Sequence, residues 1–157
     1  KRDSGVSDQI PILASEKLFI PEKIIGRFIE VTGDIRTYND ENAHLVVNVF
    51  AQDIVYSDEV YINRVQLSGS ICKKYEPRKT PKGRRICDFT LAANRVYGKA
   101  DYIPCICWGR DAVSIAGFVV GDKISCIGRI QSREYEKNGE TKTTYEVSIS
   151  KIEKGAV

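Results

Sequence analysis

Polar and apolar positions alternate in steps of two through most of the second half of this chain. The clearest run is Asp101 to Trp108. There Ile103, Cys105 and Cys107 fall on one side while Tyr102 and Trp108, six residues apart, fall on the other. Such strict alternation predicts a half-buried strand. Tyr61 to Cys72 and Arg84 to Asn94 are predicted strands on either side of Thr80-Pro81-Lys82-Gly83, a turn by its proline and glycine. Lys123 to Tyr135 and Thr143 to Ile152 form a further predicted hairpin about Asn138-Gly139, the strongest short-range hairpin dipeptide. Between these pairs, Asp111 to Phe118 reads as a short helix, with Asp111 as its N-cap and Gly117 weakening its end.

Five strands with one helix between the third and fourth is the layout of an all-β OB-fold, a five-stranded Greek-key barrel. Part of that pattern recurs earlier in the chain. Lys1 to Pro11 lines up with Asn94 to Pro104 at an offset of 93, with Arg, Gly, Asp, Ile and Pro agreeing. Gly26 to Gly33 matches Gly121 to Gly128 at an offset of 95, with Ile35 opposite Ile130, and His44 to Phe50 stands in the place of Thr143 to Ile149. The expected organisation is therefore two tandem OB units, a partial, degenerate one over 1–57 and a complete one over 58–157. The first has no counterpart of Tyr61 to Ala93, so it lacks its opening strands. The chain contains no methionine, even at its first position, and is expected to be trimmed or processed.

Composition narrows the function classes. Hydrophobic residues make up 42% and charged residues 29%, a globular balance rather than a disordered one. No window approaches ~18 uninterrupted apolar residues, which excludes a membrane-spanning helix. Lys1-Arg2-Asp3-Ser4-Gly5 has no apolar stretch behind it, so no signal peptide is expected. Five cysteines and one histidine, His44, suit a reducing, cytoplasmic setting. The net charge of +3 hides a split: residues 1–58 carry 6 Lys+Arg against 10 Asp+Glu, and residues 59–157 carry 18 against 11. Only the second part is expected to face a polyanion. Seven of its cations crowd into one hairpin: Lys73, Lys74, Arg78, Lys79, Lys82, Arg84 and Arg85.

Four strings in order, Asn63 to Gly69, Asp88 to Arg95, Ile103 to Arg110 and Gly128 to Arg133, resemble the bacterial single-stranded-DNA-binding protein family, in a variant with two OB units. The resemblance covers nearly all of 60–152. It implies sequence-independent binding and protection of single-stranded DNA in replication, recombination and repair, in association with the nucleoid. It also implies a homo-oligomer, a dimer supplying four OB units, with replication and repair proteins as further partners. Base stacking would fall to Tyr97, Tyr102, Trp108 and Tyr135, and every base offers a π-face to such rings. Phosphates would be held by the basic hairpin and by Arg95, Arg110, Arg129 and Arg133, although Arg129 is equally placed to pair with Glu146 across the last hairpin. The first copy has Ser4, Gln9 and Ser15 opposite Tyr97, Tyr102 and Trp108, and only Tyr38 keeps an aromatic. It is expected to bind DNA weakly or not at all and to serve in packing. The alternative is an OB-fold protein–protein adaptor in a replication or mobile-element complex.

No catalytic, cofactor or metal site emerges. Cys72, Cys87, Cys105, Cys107 and Cys126 contain no Cys-x-x-Cys pair, and His44 lies in the other copy. These thiols read as small buried hydrophobes; Cys72 and Cys87 could oppose each other across the first hairpin, but no disulfide is expected in a reducing setting. Asp8 and Asp101, which recur at strand starts, read as structural turn residues. There is no phosphate-cradling Gly-x-x-x-x-Gly-Lys loop and no clustered carboxylates for a two-metal nuclease.

Overall fold

The computed structural model describes residues 1–19, 21–58 and 62–155. The chain divides into two compact units, Lys1–Asn63 and Arg64–Val157. The first is built of β1 (Ile12–Leu13), the short helix α1 (Pro21–Ile24), β2 (Ile29–Asn39) and β3 (Leu45–Tyr56). They form a three-stranded sheet in the order β1-β3-β2. β2 and β3 pair antiparallel from Ile29↔Tyr56 to Asn39↔Leu45, whereas β1 joins β3 in parallel. The β2–β3 turn is an Asx turn: the Asp40 carboxylate accepts the backbone N–H groups of Asn42 and His44, each at 2.9 Å.

The second unit contains β4 (Val65–Lys74), β5 (Arg78–Lys79), β6 (Arg85–Asn94), β7 (Ala100–Trp108), α2 (Arg110–Ala116), β8 (Lys123–Lys137) and β9 (Glu140–Lys154). Its sheet runs β4-β8-β9-β7-β6-β5, and β4 also pairs with β6. That last pairing closes five strands into a barrel, the expected OB layout. β5 is a two-residue addition that the alternation did not predict, because a pair this short leaves no periodic trace. Asn138 (φ 54°) and Gly139 (φ 75°) both turn left-handed, the geometry a two-residue hairpin needs.

The helix departs from expectation at its start. Its N-cap is Gly109, at φ 59° and without a side-chain cap bond, rather than Asp111. Asp111 instead lies in the first turn, where its charge opposes the positive end of the helix dipole. At the other end the Lys74 ammonium donates to the Ala116 and Phe118 carbonyl oxygens at 2.8 and 2.6 Å, satisfying groups that the helix itself leaves unpaired. Ala112 and Ile115 are the buried residues of α2.

The barrel interior holds Ile71, Phe89, Leu91, Ile103, Ile115, Ile124 and Val147, with the thiols of Cys87, Cys105 and Cys107, while Ile86 is buried on the other face, opposite Trp108. Each large side chain among them contributes about 1.5–3 kcal/mol by leaving water. Cys72 and Cys87 do not oppose each other. The β4–β6 register shifts between Ile71 and Lys73, which leaves Cys72 in the irregularity, and Cys87 lies opposite Cys107 instead.

The internal repeat recurs in the strand register. Ile12↔Val49 and Leu13↔Phe50 in the first unit correspond to Cys105↔Val147 and Ile106↔Ser148 in the second, which sets Phe50 against Ser148, one residue from the Ile149 that the sequence repeat assigned to it. Both long hairpins carry an irregularity at the repeated glycine, between Thr32 and Gly33 and between Ile127 and Gly128. What differs is coverage. β4 pairs with β8 from Ser70↔Lys123 to Val65↔Gly128, whereas the matching stretch of β2 has no strand on that side among the described residues. The consequence is visible in solvent exposure: Cys105 is 2% exposed and its counterpart Ile12 is 45% exposed.

Gly33 and Gly128 exist for close approach. A Cβ at either would collide with the carbonyl oxygen of Phe50 or Ser148 and come within 2.9 Å of its carbonyl carbon. Gly128→Ala is expected to lower the stability of the second unit by about 1–3 kcal/mol. Gly117→Ala, at φ −80° with only a 3.5 Å neighbour, should change it by less than about 1 kcal/mol. Urea unfolding of both variants checks this, and equal midpoints would refute the close-approach account.

Candidate functional site

β7 supplies both the barrel core and the outer face of the site. Its inward residues Ile103, Cys105 and Cys107 are all 2% exposed or less, while Tyr102 on the other face is half exposed. Trp108 is partly buried. Its indole Nε1 donates to Ser148 Oγ at 3.1 Å, and the Arg84 guanidinium lies 5.2 Å from its ring centroid. The polar end of the indole is thus satisfied by β9, and a cation–π contact covers part of the ring.

The hydrogen bond to Ser148 extends the site across the sheet. Ser148 faces Arg129, Glu146 faces Gln131, Thr144 faces Arg133 and Lys142 faces Tyr135 along the β8–β9 ladder. Alternate residues of a strand share a face, so Arg129, Gln131, Arg133 and Tyr135 lie on the same side as Ser148, and hence as Trp108. Tyr135 is exposed on the distal part of this hairpin. Tyr97 stands at the β6–β7 loop and is 93% exposed.

Under these side chains runs a polar network that the sequence reading missed. Glu146 and Gln131 are both buried, with Gln131 Nε2 donating to Glu146 Oε1 at 3.0 Å. Arg133 Nε approaches the other Glu146 oxygen at 3.5 Å. Arg129 therefore does not pair with Glu146. The register sets it two residues away, opposite Ser148, where its Nη2 makes a long 3.5 Å contact to Gln131 Oε1. Its buried Nε has no hydrogen-bond partner. A buried carboxylate must be paired and hydrogen-bonded, and Gln131 and Arg133 meet that need. The available signal was polar residues alternating with apolar ones, Gln131 after Ile130 in β8 and Glu146 and Ser148 about Val147 in β9.

The expected phosphate contacts divide into two groups. Lys74 is committed to the end of α2. Arg78 pairs with Asp88 at 3.0 Å, and Arg95 is bound to Asp101 through both Nε and Nη2. By contrast, Lys79, Lys82, Arg85 and Arg110 are exposed and make no ion pair among the described residues. Lys73 lies over the Tyr75 ring at 4.9 Å. In the first unit, Ser4 and Ser15 replace the aromatics at two positions and Gln9 at a third, while Tyr38 is exposed on β2.

With the geometry in place, the sequence can be set beside known proteins. Residues 62–154 match the family described as the single-strand binding protein family. The chain belongs to that family. Similar curated relatives include single-stranded DNA-binding protein A of Bacillus subtilis, 39% identical over 82 residues that make up 48% of each chain. Another is single-stranded DNA-binding protein 3 of Listeria innocua, 38% identical over 84 residues, 49% of this chain and 52% of the relative. The chain thus spans about half the length of these relatives. Among solved structures, the single-stranded DNA binding protein from Thermus aquaticus superimposes with a TM-score of 0.67 at 22% identity, over 82% of this chain and 59% of that one. A deletion mutant of it gives 0.70 at 21% identity, over 82% and 60%. At such identities this likeness establishes the fold of this family member.

Among the described residues no three His, Cys, Asp or Glu side chains are grouped to hold an ion. Burial raises the thiol pKa of Cys87, Cys105 and Cys107, and lifts that of Cys126 to about 11, whereas Cys72 is exposed. A thiol-specific reagent at neutral pH should therefore modify one cysteine of the folded chain and five once it is unfolded. More than one fast-reacting thiol would refute this packing. The raised value also has a stability consequence of definite sign. The contribution of Cys126 is fully present below the ordinary value near 9.0 and is lost as pH climbs from there through about 11.

Proposed function

We propose that the second unit binds single-stranded DNA without sequence preference, by stacking bases on Tyr97, Tyr102, Trp108 and Tyr135. The observation that carries this reading is the shared outer face of Tyr102, Trp108 and Tyr135, on a closed OB barrel, in a chain of the single-strand binding protein family. Phosphates are taken by Lys73, Lys79, Lys82, Arg84, Arg85 and Arg110, with Arg129 and Arg133 beside the aromatic face. The curated relatives are named for binding single-stranded DNA, which supports a binding rather than a catalytic role. Protection of exposed strands in replication, recombination and repair, close to the nucleoid, is the biological setting of this reading.

The first unit, in this reading, is a partial OB unit that serves in packing and binds DNA weakly or not at all. Its excess of acidic residues and the side chains Ser4, Gln9 and Ser15 support that division of labour. A dimer then supplies four OB units. Replication and repair proteins would be recruited to the strand so coated.

The test uses the one tryptophan. Oligo-dT should quench Trp108 fluorescence, duplex DNA of equal length should not, and the affinity should fall steeply as salt rises. Replacing Tyr102 or Tyr135 by alanine should cost about 1–3 kcal/mol of binding each, roughly 5- to 150-fold. A blank titration together with a blank gel shift would overturn the reading in favour of a protein–protein adaptor.

A further inference from the structure

The β6–β7 hairpin ends at the pair Asn94↔Ala100, and the intervening residues 95–99 form a loop that carries Tyr97. Two devices close it. The Arg95 backbone N–H donates to the Lys99 carbonyl at 2.6 Å, and the Arg95 side chain reaches across to Asp101. Its Nε donates to Asp101 Oδ2 at 2.8 Å and its Nη2 to Oδ1 at 2.5 Å, a bidentate fork on a carboxylate that is 2% exposed. Bidentate pairing fixes geometry as well as energy, and a buried carboxylate depends on it. Val96 and Tyr97 are both more than nine-tenths exposed and pack on little else.

The first unit repeats this device atom for atom. Arg2 Nε donates to Asp8 Oδ2 at 2.9 Å and Nη2 to Oδ1 at 2.5 Å, and the Arg2 backbone N–H donates to the Val6 carbonyl at 2.7 Å. Gly5 and Gly98 hold φ of 85° and 76° at matching places. Yet Ser4 stands where the second unit has Tyr97, and Gln9 where it has Tyr102. The clamp is therefore separable from the aromatics: it sets the shape of the loop, and the residue at the tip sets what the loop does.

We propose that Arg95 is a positioning residue rather than a phosphate contact, its fork on Asp101 holding the 95–99 loop so that Tyr97 is presented ready to stack on a base. The inference rests on the DNA-binding reading above. Its energetic logic is preorganisation: a loop ordered before binding spares the strand the cost of ordering it. The two possible roles of Arg95 differ in sign when Asp101 is changed. If Arg95 positions Tyr97, neutralising Asp101 loosens the loop and weakens binding. If Arg95 grips phosphate, the same change releases a cation and strengthens binding.

The experiment titrates the full chain with oligo-dT over a series of salt concentrations, with thermal unfolding recorded for every variant. Arg95→Met and Asp101→Asn should each weaken binding about two- to tenfold, and neither should weaken it further in a Tyr97→Ala background. The slope of log affinity against log salt should stay at its wild-type value in both. Loss of a phosphate contact in Arg95→Met would instead reduce that slope by about 0.7. Tighter binding by Asp101→Asn, a shallower slope for Arg95→Met, or losses that simply add to that of Tyr97→Ala would each overturn the proposal. Should Asp101→Asn not fold, Arg95→Met and Arg95→Lys decide the matter, the lysine keeping the charge but not the fork and behaving as the methionine does. A wild-type chain that fails to bind overturns the DNA-binding reading and this inference together, whereas binding with additive losses overturns this inference alone.

Discussion

The two-residue period of a strand, applied to β7, is the constraint on which the second unit depends. β7 lies between β6, antiparallel on one side, and β9, parallel on the other, so both of its edges are occupied. Its orientation is therefore settled by the ladders, and its two faces are committed to different tasks. Ile103, Cys105 and Cys107 go into the barrel, and Tyr102 and Trp108 go to the outside. A slip of one residue would exchange these sets, burying a tyrosine hydroxyl and exposing the core. Thiols suit the inner face because they are small and apolar when protonated, and Cys105 lies opposite Phe89 while Cys107 lies opposite Cys87.

The aromatic face is supported by polar groups as well as by apolar packing, since Ile86, directly opposite Trp108, and Ile106, two residues before it, are buried on that face. Trp108 is tied to Ser148, and Ser148 lies beside the buried pair of Glu146 and Gln131. This is an expensive arrangement in isolation, since charge and amide both leave water. It is tolerable because the partners satisfy one another, and the bond to Ser148 ties down the polar edge of the indole.

Cationic side chains are not equivalent merely because they are numerous. Of the basic hairpin, Lys74 terminates a helix and Arg78 neutralises Asp88, whereas Lys79, Lys82 and Arg85 stand in solvent. Arg84 is placed against the Trp108 ring. The exposed cations of the hairpin that make no ion pair among the described residues are therefore fewer than seven, and they cluster about the turn at Thr80 to Gly83.

The sequence by itself determined the local features: the five strands, the helix, the Asn138-Gly139 turn and the division of β7 into two faces. These follow from side-chain period and turn chemistry, which act over a few residues. Gly33 and Gly128 and the Arg–Asp pairs Arg2–Asp8 and Arg95–Asp101 were visible in the sequence at fixed offsets, and each Arg–Asp pair meets in the structure. What only the tertiary structure decided was pairing across the chain. The β4–β6 irregularity removed Cys72 from any opposition to Cys87, the β8–β9 register gave Glu146 to Gln131 and Arg133 instead of Arg129, and the end of α2 claimed Lys74. Each of these depends on which residue a ladder brings opposite another. A single bulge moves that correspondence by one place, and alternation within one strand carries no record of it.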